Sequence, residues 1–204
     1  MILKRAFDII FSAIALLAAL PILIILAGWI KLDSNGPVFF RQVRIGRRGA
    51  PFRIWKLRTM HTDFEGRGPQ ITIGRDPRIT RVGVVIRRFK LDELPQFMNV
   101  LLGDMSVVGP RPEVPKYVSL YDNDTREIVL SVRPGITDSA SLLFSQEGDM
   151  LGRSTDPEQT YITAILPRKL EIAQRYIANR SFFGDLKIIV STAGKCCGAW
   201  RRGS

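Results

Sequence analysis

The sequence predicts a mostly helical α/β chain in two parts. A membrane-inserted helix spans residues 1–31, and a small globular part spans residues 32–204. Three observations carry this. Ile9 to Ile30 is a run of 22 residues without a charge, and about 20 such residues cross a bilayer. Phe52 to Met60 alternates apolar and basic residues, the period of a half-buried strand. Thr160 to Ala178 carries Ile162, Ile165, Leu166, Leu170, Ala173 and Tyr176 among cations, a helical stripe.

Composition bounds the partners. Hydrophobic residues are 46% and charged residues 24% of the chain, which excludes both a disordered tail and a polytopic membrane protein. The net charge of +11 favours an anionic partner: nucleic acid, an acidic membrane surface or a phosphorylated substrate. Cys196 and Cys197 are adjacent, a spacing that suits neither a bridge between them nor zinc. A reducing, cytosolic environment fits.

The N-terminal run is too long for a cleaved signal peptide, and no small-residue cleavage site ends it. Lys4 and Arg5 flank it on one side, and Lys31, Arg41, Arg44, Arg47 and Arg48 on the other. The positive-inside preference draws both flanks to the cytoplasm. Pro21 removes a backbone hydrogen bond near the middle and kinks a helix. Two arrangements are open: a re-entrant helix that bends at Pro21 and leaves on the face it entered, or a kinked single span. Asp8 is expected at the interface, paired with Arg5 or a later cation.

Asp33 to Pro37 is a turn, Val38 to Ile45 an extended segment, and Gly46 to Gly49 a hairpin turn. The following strand puts Arg53, and Lys56 or Arg58, on a polar face. Eight Lys or Arg residues lie between Lys31 and Arg58, more than a solvated face needs. Thr62 to Gln70 reads as a loop, and His61, the one histidine, as a surface or structural residue. Thr80 to Phe89 is a short apolar element, helix or strand, ending in cations.

Arg87 to Gln96 follows, with Asp92 and Glu93 adjacent. These acids suit a metal or an attack on phosphorus. Equally, Asp92 suits a helix N-cap, with Glu93 in the first turn and the helix body running from Gln96 to Leu102. Two prolines fix the backbone around Arg111, and a rigid guanidinium is a good bidentate phosphate ligand. Glu113 to Leu130 reads as one helix, and Phe182-Phe183 with Leu186 to Val190 as a short interfacial one. Lys195, Arg201 and Arg202 leave a basic tail.

Several segments together resemble the bacterial sugar transferase family, the small monotopic phosphoglycosyl transferases. They are Pro37 to Gln42, Lys56 to Met60, Arg87 to Gln96, Asn99 to Pro112 and Arg133 to Thr137. The resemblance implies a re-entrant membrane helix, interfacial amphipathic helices and a small catalytic part at the cytoplasmic face of the bacterial inner membrane. It implies transfer of a sugar 1-phosphate from a nucleotide diphosphate sugar, a UDP-sugar by family habit, to polyprenyl (undecaprenyl) phosphate, with release of UMP. Asp92 is then the nucleophile that forms a covalent phosphosugar, and Glu93 the ligand of Mg²⁺. Lys56, Arg87 and Arg111 match phosphate-binding or ordering positions. Membrane lipids are partners, nucleic acid is not, and neither the oligomeric state nor the sugar is encoded.

After Thr137 the chain departs from the commonest family pattern, and the Arg of a short Asn-Gly-Arg has no counterpart. Glu147 and Asp149 are candidates for sugar contacts there. A second reading is a membrane-anchored basic module that binds anionic lipid or nucleic acid without catalysis. It leaves Asp92-Glu93 and Pro110-Arg111-Pro112 unexplained.

Overall fold

The computed structural model describes residues 2–64, 71–73 and 76–201, with side chains except at 64 and 196–201. The expected loop after Thr62 begins with a 3-10 turn, Thr62–Phe64, and residues 65–70 lie outside the described residues. The side chains of Cys196, Cys197 and Arg201, and all of Arg202, lie outside them too.

Helix α1 (Ile2–Asp33) runs unbroken through Pro21. At 1.5 Å per residue it is about 48 Å long. Its buried residues Asp8, Ser12, Ala19, Leu26 and Ile30 recur at spacings of four and seven, so they share one face. Ile10, Ile14, Leu17 and Ile24 are exposed on the other side. The covered face rests on the globular part at both ends of the helix. At the N-terminal end Arg5 donates to the carbonyls of Val100 (2.8 Å) and Leu101 (3.3 Å), and Lys4 pairs with Asp185 at 2.5 Å. At the C-terminal end Leu26 and Ile30 pack with Leu57, Val82 and Ile86.

Two charged residues near these ends behave differently from expectation. Asp8 is 3% exposed and accepts from Val107 N at 3.0 Å and Ser106 Oγ at 2.8 Å. It satisfies the edge of a strand rather than pairing with Arg5. Arg58 is buried, not on a polar face. It donates to the carbonyls of Ile30, Ser34 and Asn35, which a helix C-terminus leaves without partners.

Strands β1 (Phe39–Ile45) and β2 (Pro51–Leu57) form an antiparallel hairpin with Arg41 opposite Trp55. The predicted turn closes it, with Arg48 and Gly49 both at positive φ. Helix α2 (Arg81–Arg88) settles the ambiguous segment as helix, and Thr80 caps it by accepting from Gly83 N. A 3-10 turn, Leu91–Glu93, leads to α3 (Gln96–Leu102), which ends at Gly103 with φ 95°.

Strands β3 (Ser106–Val108) and β4 (Gly135–Thr137) pair in parallel. They approach so closely that a Cβ on Gly135 would lie 2.2 Å from Gly109 N. The helix expected over 113–130 is two: α4 (Pro115–Val118) and α5 (Asn123–Leu130), the second capped by Asp122. Short helices α6 (Ser139–Leu143), α7 (Glu147–Gly152) and α8 (Pro157–Thr160) follow. A π-turn, Tyr161–Ile165, opens onto α9 (Leu166–Ala178), and α10 (Phe182–Arg201) ends the described chain. Leu166 and Ala173 of α9 enter a core built on Tyr117, Leu151, Tyr161 and Ile165, so α9 is a core-facing helix.

Candidate active site

The acid pair sits where α2 hands the chain to α3. Phe89 caps α2, and Lys90 then takes φ 56°, ψ 22°. This left-handed step turns the chain so that Leu91–Glu93 can close its 3-10 turn, with Glu93 N donating to Lys90 O. Such a step costs a non-glycine residue about 1–2 kcal/mol. Asp92 is 6% exposed. It is not the N-cap of α3, because Pro95 holds that position and the helix starts at Gln96.

Lys56 reaches both acids, with Nζ 3.5 Å from Asp92 Oδ2 and 3.2 Å from Glu93 Oε1. It gets there because the apolar–basic alternation of β2 breaks at Trp55. Lys56 therefore shares a face with Phe52 and the buried Ile54 instead of the solvated side with Arg53. Arg111 grips Glu93 from across the site, with Nη2 2.5 Å from Oε1 and Nη1 3.4 Å from Oε2. Arg87 turns towards hydroxyls: Nε donates to Thr59 Oγ1 at 2.8 Å and Nη1 to Thr72 Oγ1 at 2.9 Å. Thus Lys56 and Arg111 contact the pair directly, while Arg87 is held beside it.

The charges are strongly coupled. Burial pushes the Glu93 carboxyl up, but Arg111, then Lys56 and Lys90, outweigh it and hold Glu93 well below the usual carboxylate range. Glu93 in turn raises the Arg111 guanidinium against the effect of burial. Burial pulls Lys56 down, with Glu93 and Asp92 opposing. Burial also lowers Arg87, with Asp92 as the first opposing charge.

A second layer fixes Arg111. Its backbone N–H donates to Asp138 Oδ2 at 2.9 Å, and Arg44 Nη1 donates to Pro112 O at 3.1 Å. Glu113 lies 3.8 Å from Arg44 and accepts from Tyr161 OH at 2.6 Å. Sequence reasoning assigned none of these four to the site. Arg44 is one cation among eight in the sequence, Glu113 the start of an expected helix, Tyr161 an unassigned residue within Thr160 to Ala178, and Asp138 part of the divergent segment. The signal available for Glu113 in the sequence is an acid placed directly after the rigid Pro110-Arg111-Pro112 segment. Of the two expected sugar contacts, Glu147 pairs with Lys169 at 2.5 Å and Asp149 is exposed. His61 is exposed, as expected.

Among the described residues no three His, Cys, Asp or Glu side chains group as a metal site. Two adjacent carboxylates are nonetheless the donor set that Mg²⁺ uses when substrate phosphates complete its shell. A cavity of about 810 Å³ opens at the hairpin tip, lined by Ile45, Arg47, Arg48, Pro115, Arg126 and Leu130. It includes neither the acid pair nor its cations.

Residues 1–199 match the family model described as bacterial sugar transferase. The chain belongs to the bacterial sugar transferase family. It is 40% identical over 192 residues to the UDP-N-acetylgalactosamine-undecaprenyl-phosphate N-acetylgalactosaminephosphotransferase of Aeromonas hydrophila, covering 93% of this chain and 42% of that protein. It is 37% identical over 196 residues to the UDP-glucose:undecaprenyl-phosphate glucose-1-phosphate transferase of Escherichia coli, covering 95% and 40%. A protein of the same description from Caulobacter vibrioides is 37% identical over 191 residues, covering 93% and 67%. The chain thus spans about two fifths of the length of the first two relatives.

Proposed function

We propose that the chain transfers a sugar 1-phosphate from a UDP-sugar to undecaprenyl phosphate, releasing UMP, at the cytoplasmic face of the bacterial inner membrane. The observation that carries this is the carboxylate pair of buried Asp92 and half-buried Glu93, with Lys56, Arg87 and Arg111 beside it in a family member. Relatives whose names give this reaction on two different sugars support it.

Attack on a diphosphate is slowed by charge repulsion, which fixed cations offset. Lys56 and Arg111, now spent on the acids, are placed to turn to the donor's phosphate oxygens. Asp92 attacks the sugar-linked phosphorus with a carboxylate oxygen. The bond from that phosphorus to the UMP oxygen breaks, and UMP leaves with the electron pair. A lipid phosphate oxygen then attacks the same phosphorus, and the acyl–phosphate bond breaks to return the carboxylate. Glu93, with Asp92 beside it, would hold Mg²⁺ together with the substrate phosphates, and the ion would neutralise diphosphate charge.

On this proposal α1 is re-entrant within a monotopic protein, bending at Pro21, where the helix lacks a backbone donor, while staying helical throughout. Both ends of α1 rest on one globular part, whereas a spanning helix sends its ends to opposite sides of a 30 Å apolar layer. The test is incubation of purified protein with undecaprenyl phosphate, Mg²⁺ and a panel of nucleotide sugars, reading monophosphate release. Release with one donor is expected, and no release with any would overturn the proposal.

A further inference from the structure

We infer that Lys90 is the cation of the acceptor subsite, binding the phosphate monoester of the lipid acceptor. This rests on the transfer reaction proposed above. Three observations carry it. First, the nearby cations are otherwise engaged. Lys56 and Arg111 are paired with the acids, Arg87 is bonded to Thr59 and Thr72, and Arg88 lies over the Phe89 ring at 5.7 Å. Lys90, two residues from Asp92, is exposed and has no side-chain hydrogen bond or ion pair among the described residues.

Second, Lys90 stands where glycine is favoured. It follows the cap of α2 in the left-handed region, the position after a helix end that glycine most often fills. A lysine there gives up backbone ease, and its side chain is exposed to solvent. Strained non-glycine residues of this kind gather at ligand sites. A cation near a helix C-terminus also gains from the helix dipole, but Arg87 and Arg88 already supply that at α2.

Third, Lys90 lies at the seam between the acid pair and the membrane helix. Its neighbour Leu91 packs against the cluster that Leu26 and Ile30 of α1 form with Leu57, Val82 and Ile86. A phosphate carried on a lipid chain reaches Asp92 along α1 and meets Lys90 there. The donor diphosphate meets Lys56 and Arg111, from β2 and the Pro110-Arg111-Pro112 segment. The exposed ammonium is a point charge without fixed geometry, which suits a mobile monoester on a lipid.

The experiment compares wild type, Lys90→Gln, Lys90→Arg and Lys90→Gly in detergent with undecaprenyl phosphate and the donor that wild type uses. Lys90→Gln is expected to raise KM for the lipid about tenfold, the loss of one charged contact, with donor KM unchanged. Lys90→Arg is expected to restore the lipid KM to within about threefold of wild type. Lys90→Gly is expected to show the same lipid defect with a higher Tm, which separates loss of charge from loss of fold. An unchanged lipid KM in Lys90→Gln overturns the inference, as does an equal rise in donor KM, which would place Lys90 on the diphosphate. Wild type inactive with every donor overturns the reaction itself, a different outcome from a silent Lys90.

Discussion

Arg111 and Glu93 meet through both ends of the guanidinium, at 2.5 Å and 3.4 Å, and the same Glu93 oxygen lies 3.2 Å from Lys56 Nζ. One carboxylate is thus shared by two cations from different parts of the chain. The pair fixes the pH dependence of stability. Glu93 is held well below its unfolded value of about 4.3. A depressed carboxylate contributes stability that is full above the unfolded value and lost as pH falls through the folded one. Glu93→Gln should therefore destabilise by about 2 kcal/mol at pH 7. That is less than a fully buried pair would lose, because Arg111 keeps a third of its side chain exposed. Urea midpoints of the two proteins should begin to approach each other below about pH 4 and meet only below the depressed Glu93 value. A gap that widens with acid contradicts the assignment.

Arg111→Lys keeps the charge and loses the fork. Asp138 and Arg44 hold the backbone here regardless of side chain, so the fold should survive. Transfer should fall about 10- to 100-fold in kcat/KM, the worth of one charge-assisted hydrogen bond. Steady-state kinetics beside a thermal melt checks this. An unchanged rate would remove Arg111 from the diphosphate site.

The re-entrant topology proposed for α1 puts both of its ends on one side of the membrane. Single cysteines at Leu3 and Asn35, in a background lacking Cys196 and Cys197, should both react with an impermeant maleimide in inverted membrane vesicles. Neither should react in intact spheroplasts. Opposite labelling of the two positions would make α1 a spanning helix.

Gly135→Ala drives a methyl to within 2.2 Å of Gly109 N across the β3–β4 pair. Neither partner is a side chain that can swing away. The loss should be about 3 kcal/mol, the upper end of overpacking costs, read as a fall in Tm. The neighbouring Arg111 should then be displaced, since Gly109 N bonds to Thr137 O and Gly135 N to Pro110 O.

Legibility in the sequence tracked how local each feature was. The uncharged run, the Gly46–Gly49 turn and the Gln96 to Leu102 helix were readable because neighbours in the chain determine them. Lys56 was placed only as a cation on or off a polar face, because Trp55 shifts the alternation by one. Arg58 was misread because its partners are carbonyls more than twenty residues away, at the end of α1. Asp8 looked interfacial for the same reason: its donors belong to β3, a strand of three residues too short to show a period. The acid pair was visible, but its cations converge from β2, α2 and the segment after β3. That convergence is tertiary, and only the family resemblance anticipated it.

Asp92 is the proposed nucleophile, and the donor half-reaction isolates that step. Protein mixed with Mg²⁺ and its UDP-sugar, without lipid acceptor, should release about one equivalent of UMP. It should also gain the mass of one sugar phosphate on the peptide carrying Asp92. Asp92→Asn should show neither, with turnover down at least about 10³-fold. UMP release that strictly requires lipid, with no mass gain on that peptide, would contradict the covalent route and leave direct transfer between the two substrates.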